Sequence, residues 1–288
     1  MAARGSSGAG GYAEGSGRQG ASEGTAREAL VLHPSRGTFG GFRNLVGKEN
    51  KDWASDFSWL AHAAIWLVLV AGTPLVVSFV RTRINPDVSP KDVNDTAALL
   101  FFVMATISTV IAVIVRTQGA IIGEKQLGTA AWVLSKPVSR KAFVLAKLVV
   151  NARWLALLTV LIPAVVVYAS LPSVSGRPLP LLPFLGGVGM MLVGLAFYLA
   201  LSLLLGTIFE SRGPVAGSVF GFLVGGFLLS NYAGWLVAIF PWLFFENAYN
   251  LSEQGWMPAT GTISVAATAV WSVVFVVLCL WRFERAEV

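Results

Sequence analysis

Six stretches of the chain are almost wholly apolar, and each approaches the ~20 residues that cross a hydrocarbon core at about 1.5 Å rise per residue. They run over residues 57–80, 96–115, 143–170, 183–209, 215–240 and 263–281. None shows the period-two alternation or the ~10-residue length of a membrane barrel strand, so the pattern predicts six transmembrane α-helices. The third stretch is long and opens with Lys147, Asn151 and Arg153, whose side chains are expected to snorkel to the headgroups or project beyond them. Ahead of the first stretch, Phe42, Leu45, Val46 and Trp53 fall on one helical face, with Arg43, Asn44, Lys48, Lys51 and Asp52 elsewhere. A short amphipathic helix in the membrane interface fits that pattern, and a solvated turn fits it equally. Residues 1–36 are rich in Gly, Ser and Ala, lack any apolar run and read as a disordered tail without a signal-peptide core. The expectation is an all-α membrane protein: a tail over 1–36 and a six-helix domain over 37–288.

Composition agrees with this pattern. Hydrophobic residues make up 55% of the chain and charged residues 12%, with a mean hydropathy of +0.70. Soluble domains carry about a quarter charged residues, so most of this chain needs no water-facing surface. The formal charge of +6 is spread over short polar segments and forms no patch suited to nucleic acid. Its distribution sets an orientation. Arg116, Lys125, Lys136, Arg140 and Lys141 lie between the second and third stretches, and Arg43, Lys48 and Lys51 precede the first. The connection between stretches three and four holds Arg177 alone, and the next outer connection has Glu246 and Glu253 with no cation. Only the first outer connection is balanced, with Arg81, Arg83 and Lys91 against Asp87, Asp92 and Asp95. Both termini are therefore expected in the cytoplasm of a cell with this protein in its plasma membrane.

Little in the sequence supports catalysis. One cysteine, Cys279, and two histidines, His33 and His62, make neither a disulfide framework nor a familiar metal site. His62 reads as a structural residue at the mouth of the first span. Gly41 to Gly47-Lys48 approaches a phosphate-binding loop, but its spacing is one residue too long and Glu49 stands where Ser or Thr must hold magnesium. No Asp or Glu lies mid-span, and the polar residues there are hydroxyls, including Thr106, Ser108, Thr109, Ser218, Ser230, Thr268 and Ser272. Such hydroxyls commonly back-bond to helix carbonyls. No cofactor is expected on this chain.

The segment after the second stretch carries the most information. Gly128 and Thr129 offer a start, Ala130, Ala131, Val133 and Leu134 a small apolar face, Pro137 a stop, and Ser139 a cap for the third span. A mini-helix of this kind could dock in a partner's groove, or fold onto the bilayer with Trp132 as anchor. Glu124, at its edge, is expected to make no more than a rim ion pair. In the fifth stretch Gly217, Gly221 and Gly225 recur every fourth residue, a spacing that lets another backbone approach closely.

The pattern of Glu124, Gly128, Thr129, Leu134, Ser135, Pro137, Val138, Ser139, Arg140 and Lys147 resembles the signature of ABC-2 type transporter permeases. The resemblance covers everything after about residue 40. It implies a six-span half-transporter, paired with a second permease and driven by separate ABC ATPase subunits that carry the ATP and magnesium. It further implies that the segment with Trp132 is a coupling helix seated in the ATPase, that the glycine stripe faces the dimer seam or the path, and that the chain belongs to an exporter. A non-transporting scaffold or sensor subunit with the same spans is the alternative from another class.

Overall fold

The computed structural model describes residues 40–55, 57–126, 139–230, 232 and 234–285. Its elements are α1 (Phe42–Ala54), α2 (Ser58–Ile84), α3 (Pro90–Thr117), α4 (Ile122–Gln126), α5 (Arg140–Ser175), α6 (Leu181–Ile208), α7 (Arg212–Leu229), α8 (Phe244–Gln254) and α9 (Ala259–Arg285). Among the described residues six helices are long and apolar enough to cross a membrane: α2, α3 continued into α4, α5, α6, α7 and α9. The protein is an all-α, multi-pass membrane protein.

Helix starts follow local chemistry. Ser89 accepts a hydrogen bond from the Asp92 amide ahead of Pro90, and Ser139 accepts one from the Ala142 amide at the start of α5. The expected capping role of Ser139 is thus met, whereas Pro137 lies outside the described residues. In α2 and α5 the helix widens into π-type turns over Leu67–Gly72 and Ala156–Leu161, just before Pro74 and Pro163. A helical proline lacks an N–H and its ring crowds the carbonyl one turn back. The wide turns relieve this: Thr73 and Ile162 donate to carbonyls five residues back, at Val68 and Leu157. The two widened helices pack against each other.

Side chains from α1, α3, α5, α6 and α9 form one apolar layer, including Trp53, Val113, Phe143, Phe197 and Phe283. Phe101, Phe102, Phe184, Phe244 and Ala248 belong to a second layer at the opposite end of the bundle. Helix α6 is the most covered of the six spans and α7 the least.

The fifth span differs from the expectation. It ends at Leu229, eleven residues short of the predicted boundary at 240, with Ser230 bonding back to the Phe227 carbonyl. A single helix to residue 240 is not compatible with Pro241. The residue before a proline is driven out of the helical region, and Phe240 is extended at φ −131° and ψ 159°. The chain then makes a tight turn over Pro241–Leu243 and folds back as α8, which packs on α3 and α6. Gly187 permits this approach: a methyl group there would sit 3.0 Å from the Ala248 carbonyl and 2.5 Å from the Phe102 ring.

Candidate functional site

The sequence-predicted residues divide into three groups. Gly128, Thr129, Trp132, Leu134, Ser135 and Pro137 lie outside the described residues. Glu124 and Arg140 lie at the α1 end of the bundle, on either side of that segment. Gly217, Gly221 and Gly225 lie on α7.

A charged cluster forms around Glu124. Helix α1 presents Leu45, Glu49 and Trp53 at four-residue spacing, and α5 presents Phe143, Lys147 and Asn151 at the same spacing. The two faces meet in register. Lys147 Nζ donates to Glu49 Oε1 at 2.9 Å and to Glu124 Oε1 at 2.7 Å, while Trp53 Nε1 donates to Asn151 Oδ1 at 3.1 Å. Lys48 Nζ reaches Glu124 at 3.0 Å and Glu49 at 3.5 Å. Burial works against the Lys48 ammonium, but the carboxylates of Glu124, Glu49 and Asp52 outweigh it and hold its pKa above the usual lysine value. The Trp53 ring stacks on Trp154 with centroids 5.6 Å apart, and the Arg116 guanidinium lies 3.8 Å above Trp53.

Two expectations need correction here. Lys147 and Asn151 do not snorkel or project: each is only 4% exposed, because α1 covers them and supplies their partners. Glu124 is not a rim residue either. Its side chain is 16% exposed and it accepts from two ammonium groups, one of them buried. Glu49, considered above only as the flaw in a false phosphate loop, is a member of the cluster. Its place four residues before Trp53 was the available signal.

Around the cluster, further bonds close this end of the bundle. Arg140 donates to the Glu284 carbonyl at 2.9 Å, and Lys141 pairs with the Glu284 carboxylate at 3.1 Å. Gln126 donates to the Glu210 carbonyl at 3.0 Å. Thus α4 is tied to the turn before α7, and α5 to the end of α9. His62 accepts from Trp66 Nε1 at 3.2 Å, a structural bond. Thr106, Ser230 and Ser272 back-bond to carbonyls as expected, whereas Thr109 meets the Thr159 hydroxyl on α5 at 3.2 Å.

The glycine stripe makes no close approach to another part of the chain among the described residues. Methyl groups built at Gly217, Gly221 and Gly225 meet nothing within 4 Å. The tight contact on α7 is one residue away, at Gly226, where any side chain would collide with the Trp242 indole. Periodicity located a face but could not tell an inward glycine from an outward one. Among the described residues no three His, Cys, Asp or Glu side chains come together as metal ligands.

Comparison with family models matches residues 59–288 to a family described as a protein of unknown function (DUF2705). A search of curated proteins finds no match.

Proposed function

This chain belongs to the DUF2705 family, and we propose that it is the non-catalytic, membrane-spanning permease subunit of an ATP-driven transporter of the ABC-2 kind. In this reading it works as an exporter with separate ATPase subunits and a second permease, and its termini face the cytoplasm of the cell membrane. ATP and magnesium belong to the partner chains. The resemblance of the 124–147 segment to ABC-2 permeases motivates the proposal.

The supporting observation is the bonding of Glu124. It stands in α4, four residues before the coupling segment begins at Gly128, and Lys147 and Lys48 tie it to α5 and α1. A displacement of the 127–138 segment by a partner is therefore carried to two spans and the amphipathic helix through charge-assisted bonds, rather than lost in a slack loop. The outward-facing stripe of α7, the least covered span, is the surface offered to a second permease.

The test is co-purification of the full chain from its native host, with partners identified by mass. An ATPase subunit is expected at stoichiometric yield. Leu134→Asp should abolish its retention while leaving membrane insertion intact, since burying an unpaired carboxylate costs several kcal/mol. Unchanged retention in that variant would exclude the docking role.

A further inference from the structure

A cavity of about 290 Å³ opens beside the charged cluster, walled by α1, the end of α3, the turn after it, α5 and the start of α7. We propose that it holds the phosphate of an anionic phospholipid, with one acyl chain laid along α3.

Charge accounting is the first support. The cavity wall includes the acids Glu49 and Asp52 and the cations Arg116, Lys147 and Arg212. Both acids already face lysines. Glu49 lies 2.9 Å from Lys147 and 3.5 Å from Lys48, and Asp52 lies 4.0 Å from Lys48. Arg212 faces no carboxylate within ion-pair distance among the described residues. Glu124 faces the same two lysines, at 2.7 Å from Lys147 and 3.0 Å from Lys48, so three carboxylates against four cations leave one positive charge in excess, and the Arg212 guanidinium carries it in a planar fork of donors that suits phosphate oxygens.

The wall holds both guanidiniums in place. Arg212 lies across Gly119 and Gly123, so close that a methyl group at Gly119 would sit 3.0 Å from its Nε. Arg116 is held over the Trp53 ring, 3.8 Å from its centroid.

An apolar track selects lipid over free phosphate. Ile107, Ile111 and Val115 recur every fourth residue on α3 and are 41%, 37% and 52% exposed. They form one ridge whose last member, Val115, is itself in the cavity wall. A soluble phosphate would gain nothing from it, whereas an acyl chain anchored at the cavity would cover it. The site requires only the bilayer and no ATPase, so this inference and the docking proposal fail separately.

Native mass spectrometry of the purified full chain in mild detergent, titrated with phosphatidylglycerol or phosphatidylcholine, tests it. One phosphatidylglycerol should bind in preference to phosphatidylcholine. Arg212→Gln should weaken it about fivefold, the worth of one cation near an anionic lipid. Gly119→Ala should weaken it by displacing the same guanidinium, and Ile111→Ser by breaking the track. Arg43→Gln, exposed on α1 but outside the cavity, should change nothing. Thermal unfolding of each variant like wild type confirms that the fold is intact. Equal loss in Arg43→Gln and Arg212→Gln would reduce the effect to general surface charge and overturn the site. Displacement by millimolar inorganic phosphate, or an unaltered Ile111→Ser, would overturn the lipid assignment.

Discussion

Lys147 shows how a single side chain can join three elements. Its ammonium is 4% exposed and contacts carboxylates from α1 and from the end of α4. Lys147→Met would take from Glu49 and Glu124 the buried ammonium they share and leave Lys48, which is half-exposed, as the lysine that bridges them. Breaking a buried pair by removing one partner typically costs about 3–5 kcal/mol. Thermal unfolding in detergent should show a loss near the low end of that range, and Glu124→Gln, which keeps an acceptor, a smaller one. Glycines on α7 provide a second contrast. Gly226→Leu drives a side chain into Trp242 and should lower stability by at least the ~1–3 kcal/mol typical of overpacking. Gly221→Leu meets open space and should leave monomer stability unchanged. Under the proposed pairing it should instead reduce cross-linking between copies, or between the chain and its companion permease.

Among the elements, α8 carries a pH-dependent contact. Glu253 stands near the end of α8 and Asp95 in the second turn of α3, with Lys91, Arg177 and Tyr249 nearby. Burial, then the hydrogen bond and charge of Asp95, push the Glu253 carboxyl up to about 8, against the opposing pull of Lys91 and Arg177. Between about 4.5 and 8 the folded protein therefore binds more protons at this carboxyl than the unfolded chain does. This contribution to the α8 contact should be fullest at and below about pH 4.5, fall as pH rises, and level off above about 8. Amide hydrogen exchange in α8, corrected for its intrinsic pH dependence, reads this directly. Glu253→Gln should flatten the profile, and an unaltered profile in that variant would remove Glu253 as its cause.

For the molecule as a whole, the position of its two ends follows from the helix order and the bonds that close each end. The α1 end gathers α4, the start of α5, the start of α7 and the end of α9, through pairs such as Gln126–Glu210 and Arg140–Glu284. The α8 end gathers Arg81 with Thr96, and Asn94 with the Arg177 carbonyl at 3.0 Å. Under the proposed orientation, which rests on the bias of Lys and Arg, the α1 end faces the cytoplasm. Cysteine at Gln254 should then label from outside in intact cells, and cysteine at Gln126 only after permeabilisation. Equal labelling would reject the orientation.

What the sequence determined by itself is the set of spans, because a run of about twenty apolar residues has one stable state in a bilayer and the helix satisfies its own backbone. The apolar face of α1 was visible as a pattern, but a solvated turn fitted it equally, and only the fold set Leu45 and Trp53 against the bundle. Ser139 as a cap was equally local. Tertiary structure alone decided which charges are buried. Lys147 reads as a snorkelling residue until α1 covers it, and Glu49 only as the flaw in a false phosphate loop until Lys147 meets it. The break after Leu229 was hidden for the same reason. Residues up to 240 are apolar enough to continue a span; Pro241 bars only Phe240 from the helix, and the earlier break falls where Trp242 can seat on Gly226 and α8 on Gly187. A glycine looks alike in sequence whether a ring packs on it or nothing does, since its use lies in the neighbour that the fold brings to it.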